Sequence, residues 1–224
     1  MRAALRGKAP GIDAERRLWA AGHVVVAGMD EVGKGSWAGP LTVGAVVANT
    51  DRRIVGVRDS KMLNESEREA IFGRITGWAT AWSVGHASND ECDELGMSAA
   101  QRLAARRALD QLDMKVDRVL LDGNWDFVGG GRAQTIVRGD TTSLSIAAAS
   151  IVAKVTRDRI MRQADEHFPG YGFAASKGYP SPVHRRGLAE WGATTLHRRS
   201  WSFMKGLPPV GLPARDRHGL VRLF

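Results

Sequence analysis

Cysteine is nearly missing from this chain. Cys92, in "NDECDELG", is the single one among 224 residues. A lone cysteine excludes an intramolecular disulfide and any cysteine-rich zinc site, and Cys92 reads as an inert helix or loop residue. Long apolar runs are missing as well, since nothing approaches the ~18 consecutive apolar residues of a membrane span. The lead-in "MRAALRGKAPGIDAERRLWAAG" is broken by Arg, Lys, Pro, Asp and Glu, so it lacks the apolar middle of a signal peptide. Internal repeats and low-complexity tracts are absent. A cytoplasmic, soluble protein without a membrane partner is expected, and 43% hydrophobic content suffices for one good-sized core.

Acids are in deficit: 24 Asp and Glu stand against 32 Lys and Arg, giving +8 and a sequence pI near 10.2. The imbalance is local. From Arg157 onward 12 basic residues face 5 acids, so the last third holds seven of the eight net charges. Such an excess is the electrostatic footprint of a protein that meets a polyanion, most often nucleic acid.

The hydrophobic pattern predicts strands at "HVVVAGMDE", "LTVGAVVA" (41–48), "TAWSVGHAS" (80–88), "DRVLLDGN" (117–124) and "AQTIVRGD" (133–140). Asn64 with Glu67 forms a capping box that opens one helix. "SNDECDELG" reads as a short helix, Ser98 with Gln101 opens another, and residues 141–167 form the longest helix candidate. The first half of that helix is small and apolar, which suits close packing on a sheet. Strands followed by alternating strands and helices predict an α/β layer protein with a mixed sheet. The expected organisation is a lead-in over 1–22, a catalytic domain over 23–205 with a helical C-terminal part, and a Pro/Gly-interrupted tail over 206–224.

Residues 27–40, "AGMDEVGKGSWAGP", nearly spell a phosphate-binding loop. The motif fails where it needs Ser or Thr after Lys34 for Mg²⁺ and has Gly35 instead. Two carboxylates in the loop would also repel the phosphates. The acids make better sense as ligands. Asp30, Asp122 and Asp140 each follow an apolar strand-like run and precede a turn or helix start. Strand ends converging in one sheet would gather these three with Glu31. Like charges in a desolvated site raise one another's pKa, so such a cluster demands cations. Oxygen-only ligands suit Mg²⁺ or Mn²⁺, and a pair of such ions about 4 Å apart is the usual arrangement for in-line phosphodiester cleavage. Each acid also has a plainer reading: Asp140 as a helix N-cap, Asp122 as a turn former. Adjacent residues on a strand point to opposite faces, so Asp30 and Glu31 reach one site only if the strand ends or bulges there.

The segments "GMDEVGKGSWAGP", "DSKML", "LLDGN", "VRGDTTSLSIAAASIVAKVTRD" and "SKGYPSPVH" occur in the order found in bacterial type 2 ribonucleases H. From about Val24 to Phe203 the chain therefore resembles ribonuclease HII. The resemblance implies a ribonuclease H-like fold with a metal site on Asp30, Glu31, Asp122 and Asp140. It implies hydrolysis of RNA in RNA·DNA hybrids and incision 5′ of single ribonucleotides in duplex DNA, leaving 3′-hydroxyl and 5′-phosphate ends. It further implies that the turn Gly33-Lys34-Gly35, usually Gly-Arg-Gly, reads the ribonucleotide through its backbone. Lys34 in place of Arg puts any forked, Arg-specific bonding in doubt. Tyr179, stiffened between Gly178 and Pro180, is placed to stack on a sugar or base. His184 fits the Gly-Tyr-Pro-x-x-x-His pattern and otherwise reads as a helix-start residue, while Lys61 and Lys177 read as phosphate contacts or, by default, as solvated lysines. Asp158 reads as a helix-face ion pair.

The expectation is thus an endoribonuclease using two Mg²⁺ or Mn²⁺ ions, acting as a monomer on RNA·DNA hybrids and ribonucleotide-containing DNA. Ribonuclease HIII shares the Asp-Glu start but carries an added N-terminal domain that 22 lead-in residues cannot form. A non-catalytic hybrid-binding protein is the rival from another class, and the four acids speak against it.

Overall fold

A computed structural model of the chain describes residues 9–207. The tail expected from residue 206 onward lies almost wholly outside them. The elements are α1 (Asp13–Ala20), β1 (Val26–Val32), β2 (Leu41–Val47), α2 (Glu65–Trp78), β3 (Ala81–Ala87), α3 (Asn89–Leu95), α4 (Met97–Asp110), β4 (Arg118–Asp122), β5 (Ala133–Ile136), α5 (Gly139–Thr142), α6 (Leu144–His167), α7 (Phe173–Ser176) and α8 (Pro182–Trp191). The chain divides into two compact units. The first comprises residues up to Val32, Thr42–His86 and Gln101–Val155, and the second Gly33–Leu41, Ala87–Ala100 and the chain from Thr156.

The first unit is built on a five-stranded sheet of order β3-β2-β1-β4-β5. β1 runs antiparallel to β2 and parallel to β4, and β4 runs parallel to β5, so the expected mixed sheet is present. Glycines decide how the helices dock on it. A Cβ on Gly28 would lie 2.3 Å from the Ser145 carbonyl carbon, and one on Gly44 2.5 Å from the Ala149 oxygen. The backbone of α6 therefore rests directly on β1 and β2, which its run of small residues permits. Gly85 does the same for α4, where a Cβ would come within 2.0 Å of the Ala104 oxygen. Val84, one residue away and so on the other face, joins the core that α2 and α6 share: Ile71, Ile75, Trp78, Ala148, Ile151 and Val152. Asn64 and Glu67 form the predicted capping box at the start of α2.

Several boundaries differ from expectation; the strand read over 133–140 ends at Ile136, ahead of the left-handed Arg138. The helix of α4 starts at Met97, after Gly96 at φ 74°, one residue before the predicted Ser98 opening. The long helix starts at Leu144 and not at 141, because the lead-in inserts there. Gly11 bonds across to Thr142 and Leu144 at 3.0 and 2.7 Å, pairing with an extended Ser143. Glu15 of α1 is fully buried and accepts from the Ser143 hydroxyl at 2.6 Å and the Ser145 amide at 2.9 Å. A carboxylate from a distant segment thus caps α6. Among the described residues no helix is long and apolar enough to cross a membrane.

The second unit has an aromatic and aliphatic core of Met161, Phe168, Tyr171, Phe173, Leu188 and Leu196. Cys92, in α3, is buried, and burial pushes its thiol pKa up.

Candidate metal centre

Asp30 lies inside β1, opposite Gly44 of β2. It shares a face with Gly28, the face on which α6 rests, and its hydrogen bond to Ser150 of α6 follows from that. Asp122 is the last residue of β4. Asp140 belongs to the single turn α5, which follows Arg138 in the left-handed region at φ 58°. Gly139 makes that turn possible, since a Cβ there would meet the Ile146 Cδ1 at 2.6 Å. The Asp140 amide donates to the Asp122 carboxylate at 3.4 Å. One oxygen from each of Asp30, Asp122 and Asp140 falls within 4.8 Å of the others. Asp140 is thus neither the cap of the long helix nor a surface acid, being 4% exposed.

The electrostatics carry the signature of confined negative charge. Burial, then the charges of Glu31 and Asp122, push the Asp30 carboxyl pKa up to about 8. Burial and the charge of Asp140 raise that of Asp122. A cation does reach the group from within: Lys61 Nζ sits 2.9 Å from Asp140 Oδ2. Burial works to lower the Lys61 pKa, but the hydrogen bond and charge of Asp140, aided by Asp59 and Asp30, hold it above its ordinary value. Three converging carboxylates with no sulfur or imidazole fit a hard divalent cation.

The second unit contains the glycine turn. Gly33 has φ 88°, and its amide donates to the Tyr179 hydroxyl at 3.2 Å. Two fully buried arginines support this region. Arg157 donates to the carbonyls of Pro40, Lys177 and Ala38 and to the Ser36 hydroxyl, at 2.7–3.0 Å. Arg198 donates to the carbonyls of Gly33 and Lys34. Gly178 is pressed against the Ala38 carbonyl, and its own oxygen accepts from the Trp37 amide at 2.8 Å.

The sequence model of one family, ribonuclease HII, matches residues 27–204. The chain belongs to the ribonuclease HII family. It is 46% identical over 196 residues to the ribonuclease HII of Streptomyces avermitilis, covering 87% of this chain and 84% of that one. It is 44% identical over 196 residues to the Caulobacter vibrioides ribonuclease HII, covering 88% and 92%. The crystal structure of ribonuclease H2 from Pyrococcus horikoshii superposes with a TM-score of 0.69 at 28% identity, covering 81% of this chain and 95% of that one. Family and fold make the protein a ribonuclease H, a hydrolase.

Several residues read from the ribonuclease HII resemblance stand differently in the structure. Glu31 is not among the three acids whose oxygens all converge within 4.8 Å, although its charge bears on Asp30 ahead of that of Asp122. Lys61 contacts Asp140, where a phosphate contact was expected. Lys177 is buried, and its ammonium donates to the Ala174 carbonyl within its own turn. Asp158, read from the residues as a helix-face ion pair, is 1% exposed, and its charge bears on the buried Arg157.

His184 is fully buried and offers no surface to a ligand. Its Nδ1 lies 2.9 Å from the Tyr179 carbonyl, which can only accept, so Nδ1 carries the proton. Its Nε2 then accepts from His197 Nε2 at 2.9 Å, and the Thr194 amide donates to His197 Nδ1. Both rings are held neutral. Burial lowers the His184 pKa, and burial with the neighbouring ring brings that of His197 to about 3. Ser150, Arg157 and Arg198 carried no sequence signal for these places, because nothing local separates a buried arginine from a solvated one.

Proposed function

We propose that the protein hydrolyses the RNA strand of RNA·DNA hybrids and incises 5′ of single ribonucleotides in duplex DNA, leaving 3′-hydroxyl and 5′-phosphate ends. The convergence of Asp30, Asp122 and Asp140 within 4.8 Å carries this reading. These three would hold divalent metal, Mg²⁺ or Mn²⁺, with Glu31 as the fourth acid of the site. Two such ions, when bound, supply a polarised water nucleophile and stabilisation of the departing 3′-oxygen. The chain's own part is to keep the carboxylates converged and ionisable. Asp30 is anchored by Ser150 and by the Glu31 amide at 2.8 Å, and Asp122 by the Asp140 amide. Lys61 neutralises Asp140 until a stronger cation competes for it.

Recognition is assigned to the second unit. The backbone of Gly33, Lys34 and Gly35 reads the ribose, whose 2′-hydroxyl separates RNA from DNA. Tyr179, 37% exposed, offers its ring for stacking. Its hydroxyl accepts from Gly33, so the ring and the turn are set together. Tyr179→Ala should lose about one to two decades of kcat/KM on a single-ribonucleotide duplex, the loss of roughly 1–3 kcal/mol of stacking. Tyr179→Phe should lose less, about tenfold at most, for one hydrogen bond of roughly 0.5–1.5 kcal/mol.

The test is a labelled DNA duplex with one internal ribonucleotide, incubated with Mg²⁺, Mn²⁺ or EDTA and sized to the nucleotide. Cleavage on the 5′ side of the ribonucleotide, lost in EDTA and in Asp140→Asn, is expected. Binding without metal-dependent cleavage would favour the non-catalytic hybrid-binding reading.

A further inference from the structure

Arg198 lies in "HRRSW", a stretch whose charge reads as solvent-facing, yet its side chain is fully buried. Its guanidinium straddles two successive carbonyls of the glycine turn. Nη2 donates to the Gly33 oxygen at 2.6 Å and Nη1 to the Lys34 oxygen at 2.8 Å, while Nη2 also reaches the Gly39 oxygen at 3.3 Å. The residue is pinned from its backbone too, because its amide donates to the Trp37 carbonyl at 2.9 Å beside the Ala38–His197 bridge.

Gripping two consecutive carbonyls has a consequence that a merely stabilising arginine would not need. In a trans peptide the C=O and the following N–H point in opposite directions. Fixing the Gly33 and Lys34 oxygens toward the guanidinium fixes the Lys34 and Gly35 N–H groups toward the other side. Consecutive amides turned to one side form an electropositive concavity for an oxygen ligand, and the buried cation behind them adds to its field. The position beside Gly35 is open: a Cβ there would meet as its nearest neighbour the Tyr179 ring edge, at 3.9 Å. The Gly33 amide, by contrast, is directed to the Tyr179 hydroxyl.

We infer that Arg198 is a positioning residue that sets the Lys34 and Gly35 amides for a ribose hydroxyl, and thereby the preference for ribose over deoxyribose. The inference rests on the proposed reading of the turn as the ribose contact. Lysine keeps the charge but cannot fork across two carbonyls, so Arg198→Lys is the informative variant. In EDTA, the Kd of wild type and variant is measured for a duplex with one ribonucleotide and for the same duplex entirely of DNA. The ratio of the two should fall by about tenfold in the variant, the equivalent of one charge-assisted hydrogen bond. Mn²⁺ affinity, measured by calorimetry, should not change. An unchanged ratio, or equal weakening on both duplexes, would mean that the amides read phosphate or nothing, and would overturn the inference.

Should the lysine variant not fold, wild-type amide resonances give the same answer. Lys34 and Gly35 should shift with the ribonucleotide duplex and not with the all-DNA duplex, and absence of that difference overturns the inference. A wild type that cleaves neither a hybrid nor a ribonucleotide duplex, yet shows these shifts, would remove the nuclease reading and leave the positioning role standing.

Discussion

Asp30 is where folding and function pull in opposite directions. Its carboxyl pKa, raised to about 8 chiefly by burial, compares with about 3.9 in an unfolded chain. Across that interval the folded protein keeps a proton that the unfolded chain has released. The stability this group contributes is therefore full below about pH 4 and is lost as pH rises toward 8. At about 1.4 kcal/mol per unit, the loss reaches several kcal/mol. Thermal melts in EDTA should show wild type falling in Tm across this window more steeply than Asp30→Asn, whose amide has no charge to suppress. At pH 8 the variant should be the more stable apoprotein. Added Mn²⁺ should raise the wild-type Tm by mass action and leave the variant nearly unmoved, and turnover should drop more than about a hundredfold. A variant that melts with the wild-type slope would show that Asp30 ionises freely in the folded state.

At the scale of elements, the site depends on how closely α6 lies on β1 and β2, since that distance places Ser150 against Asp30. Gly44→Ala puts a methyl 2.5 Å from the Ala149 oxygen and 3.1 Å from the Ala153 nitrogen. The helix must lift, at a cost of roughly 1–3 kcal/mol by the usual scale of overpacking. Gly73→Ala, in the exposed middle of α2, meets nothing within 4 Å and should stabilise by roughly 0.5–1 kcal/mol through helix propensity. Urea unfolding of both variants checks the pair, with opposite changes in midpoint expected at an unchanged slope. The capping box at Asn64 was legible because all its parts lie within four residues. The cap of α6 was not, because Glu15 arrives from about 130 residues away.

For the whole molecule, the basic last third is two populations that the sequence cannot separate. Arg157 and Arg198 are fully buried and donate mainly to backbone carbonyls, whereas Arg185, Arg186 and Arg199 are exposed. Arg185 also lies over the Trp37 ring, 4.7 Å from its centroid. Substrate affinity should fall steeply with salt as counterion release is lost. Each of Arg185→Ala, Arg186→Ala and Arg199→Ala should flatten that dependence by about one unit of slope if it removes one phosphate contact. Arg198→Lys should leave the slope as it is. Titrations of binding against salt in EDTA check this, and an affinity indifferent to salt would show that the positive surface does not meet the backbone.

The strands, the mixed sheet and the ordered motifs were readable because they rest on local periodicity and on side chains whose chemistry has few other uses. Residue order alone determined that Asp30, Asp122 and Asp140 each follow an apolar strand-like run. It determined that a glycine turn follows β1 and that no disulfide is available to hold anything in place. It left open which acids meet. Folding brought three of them within 4.8 Å and left Glu31 to act on Asp30 through its charge. Tertiary structure also turned His184, Lys177 and Arg198 inward. The physical reason is the same in each case. Burial and hydrogen-bond partnership are properties of the space between distant segments, and a side chain's charge says what it can bind but not which carbonyl or carboxylate the fold will bring to it.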